Sequence, residues 1–455
     1  DLHPSTLAGE RPTSTVIADL SSKRWLRRGF FRGPVELRFL GRGTYLAVFS
    51  QMQHRYLVPL RERENCPERW VVRAGGKALC EAEICGDFIE DVIKSRLEGI
   101  RTEVFHHLGD QVDFISTLAE GATNPHAVYR IGVDKVVVKG YREVKSWNPE
   151  PLFLKHLSGR GPAPRIYAAY SYGETPLGIF VEFVEGYDPG ASIYAAALSR
   201  AKGEEYSVPS SAEAVAKALG EFHSLMLDCK DPWCAPSSAG RESIESWIKR
   251  IRFYLGIIAA HGVSVASLEK LVDRSLKELK SFEGSTVLRT HQDFHFSQTL
   301  VTRENRVVIV DFEGEPARPE WASKDLEPAV RDLATLTRAL SYIAFLSIAE
   351  VFEGDTSKAL QALKRGEAAA RRVSEWSAAV TELLAKAYVA GAPRRALPAY
   401  STEEVLRLTL PWFVERALYE TMYELEYRRE MVEVAINTLE QGLPLLLLLA
   451  EHTLG

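Results

Sequence analysis

Over residues 35–39, 44–49, 54–59 and 69–73, β-branched and aromatic residues come in short runs, broken by Gly41, Gly43, Pro67 and the Gly75-Gly76 pair. Runs of this kind, closed by turn formers, predict strands. The rhythm then changes. Phe88, Ile89, Val92, Ile93 and Leu97 recur at helical spacing, which predicts a helix over 87–97. A second strand-rich stretch covers 112–185, with strands expected at 128–131, 135–139 and 178–184. Inside it, Leu152, Phe153 and Leu157 predict a helix over 150–157 that ends in the Gly- and Pro-containing stretch 159–164. From about residue 188 the pattern is mainly helical, and the shift near 185 is the main expected boundary. One hairpin-like interruption stands out, in which 287–290 leads into a His-rich loop and 306–310 into an acidic one. The stretch from Gly391 and Pro393 to Pro398 reads as a helix-to-helix connection.

Length and composition narrow the class. The chain has 455 residues, of which 46% are hydrophobic and 26% charged, the proportions of a globular protein with a large core. Disorder as the main state is excluded on apolar content. Fifty-six Lys and Arg against 61 Asp and Glu give a net charge of -5, which provides no general field for nucleic acid. The basic run 24–28 is the best local candidate, and a solvated loop is the preferred reading of it. No membrane partner is expected. The apolar run 443–450 is far shorter than the roughly 20 residues of a span and contains Pro444, and 339–352 carries Ser341, Ser347 and Glu350, so it reads as a buried helix. The first residues lack the basic start and apolar middle of a signal peptide. Five cysteines without CxxC spacing read as buried or half-buried thiols in a reducing cytoplasm, so a cytoplasmic location is expected.

The chemistry concentrates in two segments, His291-Gln292-Asp293-Phe294-His295-Phe296-Ser297-Gln298 and Val307-Val308-Ile309-Val310-Asp311-Phe312-Glu313-Gly314-Glu315-Pro316. Phosphoryl transfer needs one carboxylate to orient a hydroxyl and take its proton, and a second carboxylate with a side-chain carbonyl to hold magnesium on the phosphates. Asp293 suits the first role, and Gln298 with Asp311 the second. A polar hairpin with Asp at turn positions reads the same way when taken alone. Four further elements occur in the order such a site requires. Gly121-Ala122-Thr123-Asn124 could bring backbone N–H groups to phosphates. Lys139 ends a strand, where its point charge can reach a nucleotide. Glu150 opens the next helix, placed to pair with Lys139. Glu182-Phe183-Val184-Glu185-Gly186 ends another strand, whose backbone at Glu182 and Val184 could meet an adenine. Each has an ordinary alternative: a turn, a surface lysine, a dipole-favoured helix start, an edge strand.

Together these residues resemble the aminoglycoside and choline kinase-like branch of the protein-kinase fold, whose loop reads His-Gly-Asp-x-His-x-x-Asn. Within it they are more similar to the maltokinase family, which includes actinobacterial glucosamine kinases. The run 311–319, Gln298 in place of Asn, Arg331-Asp332-Leu333-Ala334, and Tyr419-Glu420-Thr421-Met422-Tyr423-Glu424 carry that resemblance. Lys23-Arg24-Trp25 and Tyr56-Leu57-Val58-Pro59 resemble pieces of the family's N-terminal cap. The resemblance implies an α+β, bilobal protein-kinase-like fold, with a strand-rich cap module over 1–110, a strand-rich N-lobe over 111–187 and a mainly helical C-lobe over 188–455. It implies ATP and Mg2+ as cofactors and a small-molecule sugar as partner, with maltose, made into maltose 1-phosphate, preferred over glucosamine or glucose. Glu313, Glu315, Tyr419, Glu420 and Tyr423 then become candidate substrate contacts, and His291, His295 and Asp332 structural supports. Gln292 stands where the family has Gly, which implies ordinary backbone angles at that position. Arg416 stands where the family has Lys. A non-catalytic kinase-like nucleotide-binding regulator and an aminoglycoside-modifying enzyme are the alternative classes.

Overall fold

The computed structural model describes residues 13–27, 29–118, 123–205, 207–397, 399 and 401–440. The chain divides into two compact units, Asp1–Ser158 with Pro164–Phe183, and Gly159–Ala163 with Val184–Gly455.

The first unit begins with six strands, β1 (Thr13–Ser21), β2 (Phe30–Gly41), β3 (Thr44–Gln51), β4 (His54–Arg61), β5 (Val71–Ala74) and β6 (Lys77–Glu81), which close into a barrel in the order β1-β2-β3-β4-β6-β5. Closure leaves no open edge, which suits strands this apolar. Side chains alternate across the pleat, and both faces of β3 are used. Ala47 and Phe49 point into the barrel core with Val35, Val58 and Leu60. Leu46 and Val48 face the other way, into a second core. That second core joins the barrel to α1 (Gly86–Ile93) and to a six-stranded antiparallel sheet. The sheet strands are β7 (Ile100–Val104), β8 (Val112–Leu118), β9 (His126–Ile131), β10 (Asp134–Gly140), β11 (Ile166–Tyr172) and β12 (Thr175–Glu182), ordered β7-β11-β12-β10-β9-β8. The expected junction at residue 110 therefore falls inside one compact unit, between β7 and β8 of a single sheet. The helix α2 (Glu150–Leu157) matches the expected bounds, while α1 stops four residues short of the expected 97, where Ser95 turns to a φ of 51°.

Buried charge ties barrel to sheet. Arg142 donates to Glu83 at 2.6 Å and to Glu81 at 2.9 Å, and Lys23 lies 2.9 Å from Glu81. Of the basic run, Arg24 is exposed, Arg27 pairs with Glu143 at 3.2 Å, and Arg28 lies outside the described residues. The run 443–450 also lies outside them.

The thiol reading of the cysteines is corrected. Cys66 and Cys80 form a disulfide, as do Cys229 and Cys234, and Cys85 is a buried free thiol. The pairing of β6 with β4 and β5 brings Cys80 to Cys66 in the β4–β5 connection, a contact that local spacing does not mark. Disulfides are the ordinary condition of oxidising compartments and also occur in intracellular proteins of hyperthermophiles. Cysteine usage therefore no longer argues for a reducing cytoplasm.

The second unit is helical. Its helices include α3 (Pro189–Ala201), α4 (Ser210–Leu227), α5 (Arg241–Ala260), α6 (Ala266–Leu279), α7 (Val330–Val351), α8 (Thr356–Arg365), α9 (Ala368–Gly391) and α10 (Thr402–Tyr427), and the described residues 432–440 are helical too. A short 3-10 turn over Arg394–Ala396 joins α9 to α10, and Pro398 lies outside the described residues. Two small ribbons interrupt the helices, β13 (Ser237–Ser238) with β14 (Thr286–Val287), and β15 (Thr299–Val301) with β16 (Val307–Ile309). α10 is buried on most sides, through Leu406, Leu410, Trp412, Phe413, Val414 and Leu418 and also through the charged Glu415, Arg416 and Glu424, as a helix enclosed by others must be. α7 covers the expected stretch up to Val351, with one side buried through Leu340, Phe345 and Ile348 and with Leu346, Glu350 and Val351 exposed. Among the described residues it is the one helix long and apolar enough to cross a membrane by length and composition, and 61% of its apolar window is buried inside the protein.

Candidate active site

The β15–β16 hairpin explains how residues far apart in sequence meet. Thr299 pairs with Ile309, so the residue before β15 and the residues after β16 leave the hairpin side by side. The Val310 N–H closes this end on the Gln298 carbonyl at 2.9 Å. Asp311 then turns out of the strand with a φ of 58°, a region that Asp tolerates better than most residues. The Gln298 amide nitrogen donates to Asp311 Oδ2 at 2.9 Å and stands 3.5 Å from Asp293 Oδ2. Two carboxylates thus converge on one amide.

The loop carrying Asp293 is held from behind. Asp332, fully buried on α7, accepts from the backbone N–H groups of His291 at 2.9 Å and Gln292 at 3.0 Å. His223 Nε2 lies 2.9 Å from the same carboxylate, and its Nδ1 lies 2.8 Å from the Tyr388 hydroxyl. A buried carboxylate needs such partners. His291 is buried and donates Nε2 to the Val310 carbonyl at 3.1 Å, which links the two loops. His295 is half-buried, and its Nε2 lies 3.9 Å from Asp293 Oδ2, beyond hydrogen-bond reach. Burial lowers its pKa against the pull of Asp293 and so disfavours the protonated ring.

The expectation for Gln292 is overturned. It has a φ of 73°, in the left-handed region that favours glycine. Its buried side chain donates to the Ser323 carbonyl at 3.1 Å, and the Arg331 guanidinium holds its carbonyl at 2.6 Å. A Cβ on Gly314 would come within 2.6 Å of Gln292 Oε1, so the two loops fit only because residue 314 lacks a side chain.

Arg416, on α10, is the most informative residue in this region. Its guanidinium reaches Asp293 Oδ1 at 2.7 Å, Glu315 at 2.7 Å and Glu420 at 3.0 Å. Burial opposes its charge, but those three carboxylates outweigh it and hold its pKa well above the ordinary value. Behind it lies a buried network. Glu315 is shared among Arg318, Arg331 and Arg416, and Glu327 and Glu415 bind Arg250 and Arg331. Glu315, expected among the substrate contacts, is therefore enclosed by guanidinium groups. Burial works against its ionisation, yet Arg331, Arg318 and Arg416 hold its pKa well below the usual carboxylate range.

Asp293, Arg416 and the α10 side chains Tyr419, Glu420, Tyr423 and Glu424 line an open cleft of about 380 Å³, with Tyr342 and Arg428 on its other walls. Tyr419 is buried. Its hydroxyl accepts from the Ala317 N–H at 3.1 Å, and its ring stacks on Tyr423, which in turn meets Tyr427 at 4.4 Å. Glu420 spends both oxygens on arginines, Arg416 and, at 2.7 Å, Arg338. Glu313 is half-buried beside Gly314.

In the first unit, Lys139 and Glu150 form a buried pair at 2.8 Å, and the Tyr141 hydroxyl donates to the same Glu150 oxygen at 2.8 Å. The pair forms because β10 delivers Lys139 and the first turn of α2 delivers Glu150. Asn124 is engaged locally, since its side-chain oxygen accepts from the Arg142 N–H at 3.3 Å. Thr123 is exposed, and Gly121 and Ala122 lie outside the described residues. The Glu182 N–H is donated to the Arg165 carbonyl at 2.9 Å, so it is not open to a base. Val184 is half-buried at the start of the second unit.

Pattern reading undervalued Arg416, Arg331 and Glu327. A signal existed: Arg416–Glu420 and Glu327–Arg331 are spaced i,i+4 and Glu315–Arg318 i,i+3. Nothing local marks His223 or Tyr388.

The model of a phosphotransferase enzyme family matches residues 115–331. A glucosamine kinase of Mycolicibacterium smegmatis is 25% identical over 230 residues, 47% of this chain and 56% of the relative. The match thus spans just over half the length of that curated relative. A solved glucosamine kinase in complex with glucosamine, ADP and inorganic phosphate aligns with a TM-score of 0.65 at 18% identity, covering 93% of this chain and 97% of that one. A second glucosamine kinase crystal form gives 0.65 at 19%, covering 90% and 94%. The chain therefore has the kinase-like fold, α+β, with a strand-rich N-terminal region followed by a helical C-terminal one.

Proposed function

We propose that the protein is an ATP-dependent carbohydrate kinase. The observation that carries this reading is the convergence of Asp293 and Asp311 on the Gln298 amide, beside a tyrosine-lined cleft. In this reading Asp293 orients the acceptor hydroxyl and takes its proton. The new bond joins that oxygen to the γ-phosphorus of ATP, the β–γ bridging bond breaks, and ADP leaves. Lys139, fixed by Glu150, supplies a cation to the nucleotide phosphates. Backbone near Thr123, Asn124 and Val184 is assigned to the nucleotide. Gln298 and Asp311 would hold Mg2+. Their donor set fits, because two acids already face one positive amide edge, and the other end of that amide offers the oxygen a hard cation prefers. The metal, when bound, neutralises phosphate charge. Alignment and charge neutralisation account for the acceleration.

Maltose, phosphorylated at its anomeric hydroxyl, is the preferred acceptor. Tyr342, Tyr419 and Tyr423 line the cleft and supply aromatic edges and faces of the kind that suit sugar rings. The second reading is glucosamine, supported by the relatives that bear that name. ADP release measured across maltose, glucose and glucosamine tests both. D293N should fold normally and bind ATP but lose turnover by about a thousandfold. Full activity in D293N would reject the assigned role, and Mg2+-dependent ATP binding without turnover on any sugar would point to a non-catalytic regulator.

A further inference from the structure

The charge pattern of the cleft separates two kinds of acceptor. Each carboxylate lining it accepts from a guanidinium: Asp293 from Arg416, Glu420 from Arg416 and Arg338, and Glu424 from Arg428. Arg416 and Arg428 themselves line the cavity, with the half-buried His295 beside Asp293. A protonated amine entering here would meet acids whose charge is already compensated, the buried Arg416 guanidinium and the more exposed Arg428. A hydroxyl would meet good donors and acceptors.

Arg416 is anchored as well as charged. Its three contacts use three different nitrogens of one planar fork, so its orientation is fixed relative to α10 through Glu420 and to the acidic loop through Glu315. The remaining arm aims at Asp293 Oδ1. That leaves Oδ2 as the oxygen nearer Gln298. One oxygen of the acid is thereby tied back.

We propose that Arg416 is the positioning residue for Asp293 and, by the same charge, the element that restricts the acceptor to uncharged sugars. The proposal rests on the kinase reading for its first half, whereas its second half concerns binding alone.

The test uses the intact protein, with glucose, maltose and glucosamine as probes at mildly acidic pH, where the amine is protonated. By calorimetry, glucose should bind at least about tenfold more tightly than glucosamine, because a like charge beside Arg416 is unfavourable. R416M should bring that ratio close to one. R416K, which keeps the charge but not the fork, should keep the ratio. In ADP-release assays R416M should lose about a hundredfold in kcat through misplacement of Asp293, and R416K should recover part of it. Equal or tighter glucosamine binding by the wild type overturns the selectivity, as does an undiminished ratio in a folded R416M. An unchanged kcat in R416M overturns the positioning role. Selective binding with no ADP release for any sugar overturns the kinase reading while sustaining the selectivity. Should R416M not fold, the wild-type ratio and R416K still decide the matter.

Discussion

At the scale of single residues, the site is built by side chains that constrain backbone. Gln292 shows this most directly. A non-glycine residue at a φ of 73° carries a local penalty, and its buried side chain offsets that penalty through Ser323. Q292G removes the strain and the hydrogen bond together, whereas Q292A keeps the strain and removes only the bond. Chemical denaturation should therefore find Q292A less stable than Q292G by about 1 kcal/mol, although alanine is ordinarily the better residue. Equal stabilities would mean that the backbone relaxes elsewhere. The same residue marks a limit of sequence reading. Its identity argued for ordinary angles, but Asp332, Arg331 and Gly314 impose the left-handed turn from outside the loop. Asp293, Gln298 and Asp311 were singled out because phosphoryl transfer would ask for such groups, and the β15–β16 hairpin does bring the three together. Arg416 was visible only as an exception, because its meaning depends on three acids contributed by three separate segments.

At the scale of elements, periodicity located what local pattern can encode. α2 appears at its expected bounds, and the hairpin before Asp311 was readable from its apolar strand. Barrel closure was not, since the pairing of β1 with β5 joins strands some fifty residues apart and leaves no trace in either. The Lys139–Glu150 pair lies on the boundary between the two cases, because each residue was legible and their burial was not. That burial separates stability from function. K139M leaves Glu150 charged, buried and supported by Tyr141, which should cost about 3–5 kcal/mol. K139M/E150Q removes both charges and should regain most of that stability. If Lys139 holds the nucleotide phosphates as proposed, ATP affinity should stay low in both variants. Urea midpoints and ATP calorimetry on the same samples check this. A double variant that recovers ATP binding along with stability would remove Lys139 from the nucleotide site.

At the scale of the whole molecule, the helical unit surrounds a buried ionic lattice where most proteins of this size have only hydrocarbon. Arg250, Arg318, Arg331 and Arg416 interleave with Glu315, Glu327 and Glu415, and the lattice joins α5, α7 and α10 to the loop bearing Asp293. Such a lattice makes stability depend on acid in a definite direction. Burial opposes ionisation of Glu327, but Arg318 and Arg250 pull its pKa down to about 2, and Glu315 is lowered too. In the unfolded chain both groups return to the ordinary value of 4.5. Below that pH the unfolded state binds more protons than the folded one, so acid favours unfolding. The stabilisation is complete above 4.5 and is lost progressively as pH falls toward about 2. Asp325 and Glu424 run the other way, since burial raises their pKa, and they soften the upper edge of this window. They are less deeply buried than Glu315 and Glu327, which should therefore dominate. Urea midpoints measured from neutral to acid pH should stay flat above the ordinary Glu value and fall steadily below it. A midpoint indifferent to acid there would show that the lattice contributes no net stability, with desolvation cancelling attraction. Its remaining role would then be to fix Arg416 against Asp293.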